Sequence, residues 1–339
     1  GSFAGGFVLQ RFRLVRVFVS IQVLLAVLLV VRPFSGPWGM FGLTLLVCVV
    51  LGLLGAILPV VARAVPAAMR RRLATTLTTA LLAGAALAPV VTVALADVVG
   101  GWPTALALWA LPVGVAIFAW FGRRIDDEGL GSFGGKLPLG NRLSWFLTLY
   151  MGSQSGIAFI VMIWLAPLLV TAGNTVEYSA GLVSLAIGAQ LIGVFVPNVV
   201  PATRLGVAGG VMACVSVVSI ALLFFTSTPA VHFAAAIALG TAQGATLAIA
   251  YAMMAIASRT ISAAGLSSML HGFGLTIAGI APLLVGFAGS LPSASGPGLS
   301  TLVVVATCAA LTAIFGVKAG VSIAGISQNQ GNDSRPQAE

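Results

Sequence analysis

Charge is what this chain has least of. Its 339 residues include 16 Lys and Arg and 7 Asp and Glu, or 7% charged, against about 25% in ordinary soluble domains. That scarcity excludes a soluble globule of this length, which could not cover its surface with so few ionic side chains. The solvent over most of the chain must be lipid. Acids are scarcer still: none lies inside an apolar run, and Asp97 stands at a run's end before "GGW". No carboxylate pair, Ser/His/Asp arrangement, metal-ligand spacing or phosphate loop occurs, so the sequence offers no enzyme chemistry, cofactor or metal. The three cysteines, Cys48, Cys214 and Cys308, stand singly with no CxxC spacing. They support no disulfide framework and read as small buried hydrophobes. No stretch alternates polar and apolar residues as a membrane β-strand would.

What is present is apolar: 59% of residues are hydrophobic. The pattern predicts an all-α, polytopic membrane bundle with ten spans, at 14–31, 38–62, 73–96, 102–121, 145–170, 178–199, 205–225, 231–256, 262–288 and 300–321. Most reach the ~20 residues that cross a bilayer. Breaks carry turn chemistry, as in "RPFSGPW" (32–38) and "GSLPSASGPG" (289–298). The longest link, 122–142, is polar and Gly-rich. It separates an N-terminal half of four spans (1–121) from a C-terminal half of six (143–326). Residues 327–339 have too little apolar surface to fold and are expected to form a disordered cytoplasmic tail. With the first span entering from the cytoplasm, fifteen of the sixteen Lys and Arg residues fall inside and only Arg32 outside. This positive-inside bias predicts an inner-membrane, multi-pass protein with both termini cytoplasmic. The net charge of +9 is thereby topological and implies no nucleic-acid partner.

Internal similarity is visible. "FRLVRV" (12–17) resembles the opening of "TRLGV" (203–207), and "AALAPVV" (85–91) resembles "AGIAPLL" (278–284), at offsets of 191 and 193. Two near-equal offsets suggest parallel halves. On that spacing the first half lacks counterparts of two helices. The segments 78–112, "YMGSQSGIAFIVMIWLAPLLVTAG" (150–173) and "LGTAQGATLAIAY" (239–251) resemble the major facilitator superfamily, and within it the cyanate and 2-nitroimidazole permease branch. "GFVLQRFRLVR" (6–16) is similar to that superfamily's loop G-x-x-x-D-R-x-G-R-[RK], matching at Gly6 and Arg11 and departing at Gln10 and Arg13. The resemblance implies twelve helices, of which these would be the third to twelfth, around a central cavity that binds solute near the midplane. It also marks departures at Gly55, Leu77 and His271, where Asn, Tyr and Gln are expected.

Polar residues inside spans are the candidate site. A Gln in hydrocarbon must satisfy a carbonyl and an amide, so it faces a neighbouring helix or a wet cavity. Gln154 with Ser155, Gln190 and Gln243 lie near span midpoints and are candidate cavity residues, as are Thr78 and Thr79 at the repeat positions of His271 and Gly272. Interhelical hydrogen bonding is the competing reading for each. Gln22 is assigned to helix packing. His271 lies in "SSMLHGFGL", about four residues from its span centre, with no charged residue from Ser262 to Leu299. It is a candidate cavity residue and also the candidate proton-coupling group, since His232 falls near an outer boundary. Gly52, Gly55, Gly272, Gly274 and Gly279 are read as sites of close helix contact. Three functional readings follow: alternating-access transport of a small polar or anionic solute, with protons a candidate coupling ion; a non-transporting or fragmentary membrane protein on the same scaffold; and, least supported, a membrane enzyme using His271. The partners implied are a small-molecule substrate and the lipid bilayer.

Overall fold

The computed structural model describes residues 14–63, 80, 83–84, 87–88, 91–92, 94–120, 137–258, 260–289 and 297–333. The chain forms two compact units, Gly1–Lys136 and Leu137–Glu339. Among the described residues every regular element is helical, and nine helices are long and apolar enough to cross a membrane. Their outward faces carry bare apolar side chains such as Trp38, Phe118 and Val199, each more than 80% exposed, which only lipid can solvate. The chain is a multi-pass membrane protein.

In the first unit, α1 (Leu14–Val31) runs through a 3-10 turn at Arg32–Phe34 into α2 (Gly36–Arg63). Ser35 Oγ donates to the Val31 and Arg32 carbonyls, serving acceptors that the end of α1 leaves open. Gly36 then turns the chain at φ +70°, a backbone region cheap only for glycine. Val17, Phe18, Ile21, Leu25 and Leu28 recur at helical spacing on α1 and bury against Val47 and Val50 of α2. The expected span 102–121 is broken into α3 (Trp102–Ala107) and α4 (Ala110–Trp120). Tight bonds from Trp109 N to Leu106 O and Leu111 N to Leu108 O make the break. Trp109 Nε1 also donates to Thr92 Oγ1 at 2.8 Å, tying this corner to the preceding span, which is helical wherever it is described. Phe18 meets Trp120 edge to face, with centroids 5.1 Å apart.

The second unit contains α5 (Arg142–Thr171), α6 (Val176–Gly193), α7 (Leu205–Phe225) and α8 (Pro229–Ala257). After these come α9 (Ala263–Met269), a π turn (Leu270–Gly274), α10 (Leu275–Gly289) and α11 (Pro297–Asp333). Side-chain caps start three of them: Asn141 accepts from Ser144 N, Thr175 from Tyr178 N and Ser262 from Gly265 N. In lipid no hydrophobic force draws helices together, so close approach and hydrogen bonds must do so. Glycines provide that approach. A Cβ on Gly240 or Gly244 of α8 would collide with the Ala186 or Gln190 carbonyl oxygen of α6, and one on Gly206 of α7 with the Gly316 carbonyl of α11. On α5, a Cβ at Gly152 would lie 2.9 Å from the Gly274 carbonyl oxygen. Gly206/Gly210, Gly240/Gly244 and Gly316/Gly320 are each a G-x-x-x-G pair.

Two expectations change. Cys48 and Cys214 are exposed on helix surfaces, and Cys308 is only partly buried. In a membrane an apolar thiol is as well placed against lipid as inside protein, so burial did not follow from hydropathy. α11 stays helical through Asp333, past the boundary expected at 326, because no Pro or cap ends the helix where it leaves the apolar run.

Candidate functional site

A polar layer crosses the middle of the second unit. Gln154 on α5 is 2% exposed; its Nε2 donates to Ser155 Oγ at 2.7 Å and reaches Met151 Sδ at 3.4 Å. Its Oε1 lies 3.4 Å from Thr246 Oγ1 of α8, which also donates to the Gln243 carbonyl at 3.0 Å. Gln243 Nε2 donates to Ser216 Oγ of α7 at 2.9 Å, leaving its buried Oε1 without a donor. Thr312 of α11 donates to Ser153 Oγ at 2.9 Å. Tyr150, fully buried between Gly209 and Gly316, donates to the Thr246 carbonyl at 3.1 Å. Four helices are thus bonded across the bundle through groups that lipid could not satisfy. The candidates Gln154, Ser155 and Gln243 belong to this layer.

The two histidines lie outside it, each held by a tyrosine and a backbone carbonyl. His271 sits in the π turn and is partly exposed. Its Nδ1 is 2.9 Å from the Ser267 carbonyl oxygen, and its Nε2 is 3.2 Å from the Tyr251 hydroxyl of α8. A carbonyl only accepts, so Nδ1 carries the proton and neutral Nε2 accepts from Tyr251. The two rings stack with centroids 5.9 Å apart. The π turn is where the hydrogen-bond ladder of this span slips by one residue, a feature that recurs at functional positions. Thr276 Oγ1 caps the Gly272 carbonyl there at 2.7 Å.

His232, near the start of α8, reverses the pattern. Its Nε2 is 2.9 Å from the Thr226 carbonyl oxygen and its Nδ1 is 3.1 Å from the Tyr178 hydroxyl of α6. It carries its proton on Nε2 and is 3% exposed. Position along the span suggested a boundary residue, whereas its partners make it a buried tie between α6, α8 and the end of α7. Tyr150, Tyr178 and Tyr251 were not singled out from the sequence. They are the chain's only tyrosines, and a phenol inside a span needs a partner, which is the signal that would have found them.

Gln190 is partly exposed on α6, its backbone against Gly244. Thr78 and Thr79 lie outside the described residues. Gln22 is buried among apolar side chains of the first unit, its Oε1 without a donor. Of the glycines read as contact sites, Gly274 approaches α5, with a Cβ there 3.2 Å from the Thr148 carbonyl oxygen, whereas a Cβ on Gly279 would meet nothing within 4 Å, so that residue is not a contact site. A groove of about 620 Å³ between α7 and α8 is lined by apolar side chains with Ser219 and Cys214. Among the described residues no group of three His, Cys, Asp or Glu could hold a metal.

No family model matches the chain. It is 28% identical over 219 residues to the "Uncharacterized transporter YycB" of Bacillus subtilis (strain 168), covering 62% of this chain and 54% of that protein. The match therefore spans about half of that relative's length. It is 28% identical over 326 residues to the "2-nitroimidazole transporter" of Escherichia coli (strain K12), covering 92% of this chain and 80% of that one. Among solved structures it superposes on an inward-facing, unoccupied bacterial homologue of the human lysosomal transporter Spinster. The TM-score is 0.57 at 16% identity, with 99% of this chain and 88% of the other covered. The chain shares the fold of that solved transporter homologue.

Proposed function

We propose that the chain is a permease that moves a small polar or anionic solute across the plasma membrane by alternating access. The observation that carries this reading is the similarity to the Escherichia coli transporter over 92% of the chain, on a helical membrane fold whose described spans carry acids only near their ends. Partly exposed Gln190 supplies a neutral hydrogen-bonding group of the kind such a solute requires, and Gln154 and Gln243 bond the helices of the same unit together. The bias of basic residues supports cytoplasmic termini. The relative's name supplies a first probe, 2-nitroimidazole, a small planar molecule with nitro oxygens as acceptors.

Uptake of labelled 2-nitroimidazole, and of a panel of small monovalent anions, is measured in cells expressing the gene and in proteoliposomes. Saturable uptake above empty controls for at least one solute is the expected result. Rates equal to the controls across the panel would refute transport of this class.

A further inference from the structure

We propose that Tyr251 is a solute-binding donor that protonation of His271 switches on, so that one proton enters the site with each solute. The proposal rests on the permease reading and adds to it a residue, a coupling step and a charge preference.

The step follows from the bonding. In the neutral state both ring nitrogens are used: Nδ1–H donates to the Ser267 carbonyl at 2.9 Å, and Nε2 accepts the Tyr251 O–H at 3.2 Å. Neither nitrogen is available to a solute, and neither is the phenolic hydrogen. A proton arriving from water can bond only to the Nε2 lone pair. Nε2–H then donates to the Tyr251 oxygen, which accepts through a lone pair, and the phenolic hydrogen must turn away. No covalent bond other than N–H forms, and the proton returns to water when the step reverses. The site gains one positive charge and one free O–H at the same moment, and both favour an acceptor that carries negative charge.

Few other ionisable groups surround His271. Its own segments, α9, the π turn and α10, hold no Asp, Glu, Lys or Arg. α5, packed against the π turn, brings Arg142 at its exposed first residue and Tyr150, whose hydroxyl is bonded to Thr246 O. α8 brings Tyr251 itself, and His232 lies at the opposite end of that helix, bonded at both nitrogens. Tyr251 and His271 are both partly exposed, and the switch requires that the exposed side of the pair be open to water.

The chain has two histidines, so ¹⁵N-histidine NMR of the protein in nanodiscs resolves the switch without any solute. His271 is expected as the Nδ1–H tautomer and His232 as the Nε2–H tautomer, assigned with His232→Gln. Lowering the pH should protonate His271 at Nε2, and Tyr251→Phe should shift the Nε2 resonance of His271 and not that of His232. The opposite tautomer at His271, or a ring that stays neutral down to pH 4, would overturn the proposal even in a working permease. In proteoliposomes holding a pH dye, wild type should move protons with 2-nitroimidazole or with whichever panel anion it accepts. Tyr251→Phe keeps the ring's titration but should raise KM about tenfold with kcat little changed, the value of one charge-assisted hydrogen bond. His271→Gln should leave slower uptake with no dye response. A wild-type KM in Tyr251→Phe, or solute uptake without proton movement in wild type, would also overturn it. Failure of every solute to enter refutes the permease reading and with it the solute-binding role of Tyr251.

Discussion

Replacing Gly240 by Ala tests whether the α6–α8 contact depends on the absence of a single carbon. The new Cβ would sit 2.8 Å from both the Ala186 carbonyl carbon and the Ala189 Cβ, where ordinary contacts begin at 3.4 Å, and it would strike the Ala186 oxygen. All of these atoms belong to helix backbone or its first side-chain carbon, so no rotamer change relieves the clash. The helices must part, at the ~1–3 kcal/mol typical of overpacking. Gly188 on α6 provides the control, since a Cβ there meets nothing within 4 Å. Both changes are Gly to Ala inside a helix, so the propensity gain of up to about 1 kcal/mol is common to both and cancels in the difference. At about 2–4 °C per kcal/mol for a unit of this size, Gly240→Ala should melt roughly 2–12 °C below Gly188→Ala. Tryptophan fluorescence of the detergent-solubilised chain measures this directly, because Trp164 and Trp145 are built into the same unit. Equal melting temperatures would show that α6 and α8 do not pack through backbone contact at this position.

Three further outcomes are expected. Tyr150→Ala empties the space between Gly209 and Gly316 and should cost about 3–5 kcal/mol, whereas Tyr150→Phe loses one interhelical bond worth about 0.6–1.7 kcal/mol; chemical denaturation in detergent separates them. Gln243→Leu should leave stability nearly unchanged, since the bond to Ser216 is lost together with an unpaired buried oxygen. Gln154→Leu strips partners from Ser155 and Thr246 and should destabilise by about 1–2 kcal/mol, so similar denaturation midpoints for the two would contradict the hydrogen-bond assignment. For orientation, Leu139→Cys should react with an impermeant maleimide only in inside-out vesicles and Ser227→Cys only in right-side-out ones, a result whose reversal would invert the positive-inside reading.

Much of the fold was legible because lipid imposes a length and an apolar requirement that sequence displays openly. α1 and α7 begin and end where hydropathy placed them, at 14–31 and 205–225. The ends of α11 were not legible, because a helix leaving the bilayer stops for local reasons that hydropathy does not record. Nor was the π turn, since "LHGFG" has the same composition whether its ladder runs to the fourth or the fifth residue. For the site, type and depth identified Gln154, Gln243 and His271 but could not pair them. Which partner each meets depends on helix rotation, and rotation here is set by glycines whose contacts lie far off in sequence. His232 does lie near a span boundary, but its bond to Tyr178, 54 residues away, could not be read from depth.

The backbone contact at Gly240 and Gly244 has a mechanical meaning. Neither α6 nor α8 can roll about its axis or slide along the other without driving a carbonyl into a main chain, and His232 pins their shared end to Tyr178. The two helices behave as one stiff plank. Strain within this unit is therefore shunted to the segment whose ladder already changes register, α9 to α10, with His271 at the pivot and Tyr251 on the plank. A displacement there of a fraction of an ångström would stretch or release the hydrogen bond between Tyr251 and His271.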